Sequence, residues 1–408
     1  MRTHQNNFDG SKQISEFHMS NEQNAAQTIL THLGREPSEQ YGFVNTPVVR
    51  GSTVVFDSYE QLKANDHPYS YGRHGNPTND AVHKVITALE GAHETLLAPS
   101  GVSAISTALL AVAKTGDHVL ITDSAYEPTR QFADSLLRAN QIEVEYFDPR
   151  IGSEIESLIK PNTTAILTES PGSLTFEVQD LPAIAAVRGD KGIAIIADNS
   201  WATPLYYRPI ELGADIVVHA GTKMFVGHSD VMFGTISSNE KYAKVVRSTY
   251  RGLGVCVSPE DSFLVARGLR TLAIRMKEHE TRALELAKWL ENQPLVDKVF
   301  HPALEQHPDH EIFKRDFTGS GSLFSFTLKE NSEAGTRDLL NGMELFAMGY
   351  SWGGFESLIL PIKIKTQRSV TQWKETGSLF RVHIGFEDMD DLKSDLEKGL
   401  ARFNAALS

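Results

Sequence analysis

A chain of 408 residues with 40% apolar and 22% charged residues has an ordinary globular composition and is long enough for two hydrophobic cores. Its formal net charge of −13, with no run of Lys or Arg to break the acidity, argues against a nucleic-acid or anionic-membrane partner. One cysteine, Cys256, rules out an internal disulfide; with no signal-peptide core and no run of eighteen apolar residues, a cytoplasmic protein is expected.

Residues 1–38 are polar and aperiodic and read as a mobile arm. A regular rhythm starts near Thr78. "NDAVHKVITALEGA" carries Val82, Val85, Ile86 and Leu89 at helical spacing before a Gly91 stop. "SGVSAISTALLAVAKTGD" repeats the pattern with Ile105, Leu109 and Val112 and is expected to end at Gly116. Four buried-strand runs follow: "HVLIT" (118–122), "TAILT" (164–168), "GIAIIAD" (192–198) and "DIVVHA" (215–220). Unbroken apolar strands separated by helical segments predict an α/β unit with a parallel sheet covered on both faces. A smaller α+β unit begins at the helix "LAIRMKEHETRALELAKWLENQP". It continues through "SLFSFTLK" (322–329) and "LFRVHIGFE" and closes with the helix "DMDDLKSDLEKGLARFNAAL".

Ligands of open α/β sheets collect beyond the carboxyl ends of the strands. "HVLIT" leads to Tyr126, "TAILT" to "ESPGS", "GIAIIA" to Asp198, and "DIVVHA" to Thr222 and Lys223. Ser100 and Gly101 open a helix with small early residues, a natural seat for a phosphate. An amine, a carboxylate, an aromatic ring and an anion seat on one sheet edge suit pyridoxal phosphate (PLP). The lysine forms the Schiff base, the acid keeps the pyridine nitrogen protonated, and the helix end takes the phosphate.

Other motifs fail on their context. No Walker sequence and no G-x-G-x-x-G after a strand occurs. "GYSWG" (349–353) matches a nucleophile elbow, but "GFESLILP" reads as turn and short strand, and the Ser–Asp–His order is missing. "HPALEQHPDH" (301–310) has three histidines but reads as a solvated loop and not a metal site.

Longer stretches then match a family. "ADNSWATPLYYRPIELGADIVVHAGTKMFVGHSD" (197–230) resembles the cofactor segment of the Cys/Met-metabolism PLP enzymes, and "YGRHGNPT", "SAYEP", "ESPGS", "RGLRTL" and "YSWGGFESL" extend the likeness. It runs from about Gly51 to the C-terminus. The resemblance implies the PLP-dependent transferase fold type I and a homotetramer of two active-site dimers. It divides the chain into an arm reaching the neighbouring subunit (1–65), a PLP-binding large domain (66–272) and a C-terminal small domain (273–408). It implies Lys223 as Schiff-base lysine and proton carrier, Asp198 on the pyridinium nitrogen and Tyr126 stacked on the ring. Gly101, Val102 and Thr222 would hold the phosphate, with Tyr71 and Arg73 reaching the phosphate of the neighbouring subunit. Arg381 would take the substrate carboxylate, with Tyr350, Ser351 and Trp352 beside it. γ-Acting relatives usually read Glu-Ser-Leu-Gly-Gly where this chain has "YSWGG", so the implied reaction is β-elimination of L-cystathionine to homocysteine, pyruvate and ammonia. γ-Chemistry in the same family, a PLP-fold protein without turnover, and Tyr350 and Trp352 merely packing the domain junction are the alternatives.

Overall fold

The computed structural model describes residues 24–64, 66–364 and 368–407. Seven strands form the larger sheet: β1 (Glu94–Ala98), β2 (His118–Thr122), β3 (Glu143–Phe147), β4 (Thr163–Glu169), β5 (Ala194–Asp198), β6 (Ile216–His219) and β7 (Gly234–Ser238). Their order is β1-β7-β6-β5-β4-β2-β3, with β7 antiparallel to both neighbours and every other pairing parallel. The four strands expected from apolar runs are its centre. Successive side chains alternate between two cores: Val119, Ile121, Ile196 and Val218 on one face, Leu120, Ile166, Ile195 and Val217 on the other. Both faces are dry, which is why these strands read as continuous apolar text.

β1, β3 and β7 escaped the apolar-run criterion. β7 is "GTISS", polar in composition yet buried throughout, and Ser237 shares a 2.9 Å hydroxyl contact with Thr95 of β1. Two helices matter for the site. Pro77–Glu90 is capped by Asn76, which accepts from Asn79 N at 3.0 Å, and it stops at Gly91, whose φ of 63 suits glycine. Gly101–Val112 is capped by Ser100 and ends four residues before the expected Gly116.

The expected mobile arm needs correction. Residues 1–23 of it lie outside the described residues, but Ala26–His32 is a helix, not an arm. It buries Ile29 and Leu30 against Val82, Val85 and Leu272, and Arg270 donates to the carbonyls of Leu30 and Leu33 at 2.6 and 2.9 Å. The "HPALEQHPDH" loop is likewise not solvated. His301 and His307 are buried, the His301 ring lies beside Trp201 and Phe324, and Asp309 accepts from Arg150 and from Val178 N. Its polarity serves inward contacts, which composition does not distinguish from solvation.

The helix Leu272–Glu291 leads to an antiparallel sheet of β8 (Val296–Phe300), β9 (Leu323–Leu328), β10 (Leu358–Ile362) and β11 (Leu379–His383), ordered β10-β11-β9-β8. It has its own core, in which Phe324, Phe326 and Phe380 meet Leu396 and Phe403 of the helix Met389–Ala405. β10 is the short strand expected after "GYSWG", where an elbow would need a helix. Among the described residues no helix is long and apolar enough to cross a membrane.

Candidate active site

Asp198 and Glu169 are register partners at the carboxyl ends of β5 and β4, so two carboxyl groups emerge side by side. They are not equivalent. Asp198 Oδ1 accepts from Ser200 N at 2.9 Å and Ser200 Oγ at 2.6 Å, and that hydroxyl in turn accepts from Ala220 N at 2.7 Å. Glu169 Oε2 accepts from Tyr126 N at 2.7 Å. Burial and the neighbouring Asp198 push the Glu169 carboxyl well above the usual range. Burial raises Asp198 too, but Ser200, His219 and Lys223 oppose that rise. One negative charge therefore settles on Asp198, where the donors are.

Lys223 sits in the turn that follows β6. Its Nζ donates to Ser351 Oγ at 2.6 Å and stands 5.5 Å from the centre of the Trp352 ring. Burial and the Arg381 charge bring its amine down to about 8, against the pull of Asp198. Arg381, on β11, donates from Nη2 to Ser351 O at 3.2 Å and has Tyr126 and Tyr350 as electrostatic neighbours. Tyr126 feels Glu169, Arg381 and Asp198, and burial raises its phenol, so it stays protonated at neutral pH. Lys223, Asp198, Tyr126 and Arg381 thus form one electrostatically linked set, drawn from both sheets.

Trp352 packs against the cores on both sides of the site, whereas Tyr350 is 89% exposed, so the tyrosine does not pack a junction. Gly101 lies against the lysine turn: a Cβ there would come within 2.7 Å of Ala220 Cβ. This close approach brings the helix Gly101–Val112 end-on to the site, where the Gly101 and Val102 amides have no carbonyl one turn earlier to bond. Thr222 is nearby, but its hydroxyl donates to Phe233 O at 3.0 Å and accepts from Phe233 N at 2.8 Å. Tyr71 and Arg73 stand apart. Arg73 lies 5.5 Å over the Tyr71 ring, Tyr71 bridges to Thr53, and their contacts among the described residues do not include the lysine set. Ser200 was not singled out in the sequence, and Glu169 appeared there only as the first residue of "ESPGS", without a role.

A family profile described as Cys/Met metabolism PLP-dependent enzyme matches residues 27–401. The chain belongs to this family. Family members depend on PLP. The Escherichia coli cystathionine beta-lyase MetC is 42% identical over 388 residues, 92% of this chain and 98% of that one. A Wolbachia pipientis protein named L-alanine/L-glutamate racemase is 39% identical over 392 residues, 92% and 97% of the two chains. The solved structure of metB from Corynebacterium glutamicum superposes with a TM-score of 0.88 at 30% identity, covering 94% of this chain and 99% of that one. The seven-stranded, mostly parallel sheet is that of PLP-dependent fold type I.

The residues present fit the family's cofactor. A buried, charge-holding carboxylate, an amine brought down to about 8, and a helix N-terminus with free amides are the acceptor, nucleophile and donors PLP requires at its nitrogen, aldehyde and phosphate.

Proposed function

We propose that this protein is a carbon–sulfur lyase that splits L-cystathionine and water into homocysteine, pyruvate and ammonia. When bound, PLP supplies the electron sink that makes a Cα proton removable. The chain's own residues do the rest. Lys223 binds the cofactor and then serves as the amine that carries the Cα proton, and its depressed basicity keeps a neutral form available. Asp198, steadied by Ser200, would hold the cofactor nitrogen, and Tyr126, whose amide is fixed by Glu169, would stack on the ring. Gly101 and Val102 offer amides to the phosphate, and Thr222 joins them only if its hydroxyl leaves Phe233. Arg381 spends one nitrogen on Ser351 O and has others for the substrate carboxylate, a contact worth ~1.5–3 kcal/mol.

The observation that carries the β-reading is the turn over the lysine. Ser351 and Trp352 close on the Lys223 amine, and the indole narrows the space for the distal arm of the substrate. β-Elimination needs only the Cα proton and a departing thiolate. γ-Chemistry needs a second proton from Cβ and more room for the base to move.

The two sheets with separate cores support a large domain over 66–272 and a small one over 273–408. Within 1–65 the helix Ala26–His32 packs on its own chain, and the stretch after it, with Tyr41, Phe43, Val44 and Val55 exposed, is the part that reaches a neighbouring subunit. Tyr71 and Arg73 then serve the phosphate of that neighbour, in dimers that pair into a tetramer, and the reaction proceeds in the cytoplasm. Incubation of the PLP-loaded protein with L-cystathionine tests the function. Pyruvate and homocysteine are expected. 2-Oxobutyrate and cysteine as main products, or racemised alanine with no sulfur product, would overturn it.

A further inference from the structure

We infer that His383 is a positioning residue for the lysine amine, because it clips the Ser351–Gly354 turn onto the main chain of Lys223. The inference rests on Lys223 being the cofactor lysine and concerns what fixes its amine in space. β11 alternates: Phe380, Val382 and Ile384 belong to the small core, so Arg381 and His383 share the opposite face, toward the turn. Arg381 takes the carbonyl of Ser351, as described. His383 takes the next stretch, with Nε2 at 3.2 Å from both Gly353 N and Gly354 O.

The ring is itself fixed. Nδ1 lies 2.7 Å from the buried Ser322 hydroxyl, which is able to donate or accept. A neutral imidazole has one N–H and one lone pair. With the proton on Nδ1 it donates to Ser322 and accepts from Gly353 N; with the proton on Nε2 it donates to Gly354 O and accepts from Ser322. Either tautomer holds one backbone group of the turn. Burial and the charges of His279, Arg381 and Lys223 favour the neutral ring.

The clip matters because the turn lies directly on Lys223. Gly353 has φ +88, and a Cβ there would come within 2.9 to 3.1 Å of the Lys223 C, Cα and Cβ atoms. Two residues earlier, Ser351 places its hydroxyl 2.6 Å from Nζ. A shift of the turn by a few tenths of an ångström would lengthen that bond or push the lysine. Without His383 the only hydrogen bond left to the turn's main chain among the described residues is that of Arg381, which is also the group expected to engage the substrate.

Two readouts besides turnover test this. The first is amide hydrogen exchange of the 351–354 peptide in the PLP-loaded protein. The second is the pH midpoint for acylation of Lys223 in the cofactor-free protein, followed by peptide mass spectrometry. His383→Leu should speed exchange of that peptide about tenfold and shift the midpoint in the same direction as Ser351→Ala. His383→Gln, whose amide offers a donor and an acceptor near the Nε2 position, should recover most of both effects. In a Ser351→Ala background, His383→Leu should move the midpoint less than about twofold further, since the group it positions is gone. The inference is overturned if His383→Leu leaves both readouts unchanged, if Gln behaves like Leu, or if the midpoint effects add. Should His383→Leu fail to fold, Ser322→Ala frees the ring and should give the same changes at smaller size, and no change there overturns the inference equally. A wild-type protein that takes up no PLP would sink the cofactor reading while the exchange measurement still decides the clip.

Discussion

The amine of Lys223 gives the sharpest quantitative test of the site. An ordinary lysine with a pKa of ~10.4 is neutral at pH 8 in roughly four molecules per thousand. At a pKa of about 8, half are neutral, so the nucleophilic form is on the order of a hundredfold more abundant. Burial is the larger cause and the Arg381 charge the second, with Asp198 opposing both. The perturbation is therefore Arg381→Met, which keeps bulk and burial but removes the charge. The midpoint should rise, yet stop short of the ordinary value because burial remains. A rise of one unit, ~1.4 kcal/mol, lowers the neutral fraction at pH 8 from a half to roughly one in eleven, and is an upper size for one neighbouring charge at a partly wet site. Asp198→Asn should move the midpoint the other way. The assay is acylation of Lys223 in cofactor-free protein across pH 6–11, read as the yield of the modified Lys223 peptide. A wild-type midpoint near ~10.4, or a fall on Arg381→Met, would refute the electrostatic account.

Subunit sharing predicts that a mixture of Arg73→Ala and Lys223→Ala proteins, each inactive alone, regains activity once subunits exchange, because some hybrid dimers carry one intact site; demonstrated exchange without activity would defeat it. Stability should fall below neutral pH for a reason unrelated to catalysis. Burial brings His279 and His307 down to about 4, His301 down to about 3, and His383 well below its ordinary value. Between their unfolded pKa of ~6.5 and those values the unfolded chain binds protons that the folded one refuses, so stability present above ~6.5 is lost as pH falls, by up to ~1.4 kcal/mol per pH unit for each histidine. A urea midpoint that is equal or higher at pH 5 than at pH 7 would contradict this, and His301→Gln should flatten the dependence.

What the sequence revealed depended on which physical constraint each segment obeys. β2, β4, β5 and β6 are buried on both faces and carry polar residues only at their ends, so they stand out as apolar runs. β7 is as buried as any of them, but three of its five residues carry hydroxyls, of which Ser237 meets Thr95 across the sheet while Thr235 Oγ1 has no partner among the described residues, so its burial leaves no hydropathy signal. β3 alternates Glu143, Glu145 and apolar residues at a sheet edge, and Lys160 pairs both glutamates. Lys223, Asp198 and Tyr126 were legible because each follows a recognisable strand on the same sheet edge. Thr222 was placed correctly in the turn, but its hydroxyl proved to be engaged with Phe233, which spacing does not foresee. The roles of Ser200 and Glu169 were harder because a serine two residues past Asp198 has no pattern of its own, and the pairing of Glu169 in "ESPGS" with Asp198 appears only in the sheet register. Contacts such as Lys223 with Ser351, 128 residues apart, exist only once the second sheet is docked.

The same docking explains why the charges of the site are arranged as they are. On the large sheet alone, β4 and β5 would present two adjacent carboxyl groups, Glu169 and Asp198, and two like charges at neighbouring strand ends repel. Ser200 gives two donors to Asp198, while Glu169 receives a single amide from Tyr126, so the proton resides on Glu169. The large sheet then contributes one anion beside one amine. β11 of the small sheet adds a cation, Arg381, which by itself makes the Lys223 ammonium less stable and its neutral amine more abundant. The guanidinium is thus not only a candidate anchor for the substrate carboxylate. A carboxylate bound to it would neutralise its charge and let the lysine regain basicity at the step where it must hold a proton. On the proposed roles of Arg381 and Lys223, binding of substrate and readiness of the base would be linked through one arginine, and that link would require both sheets.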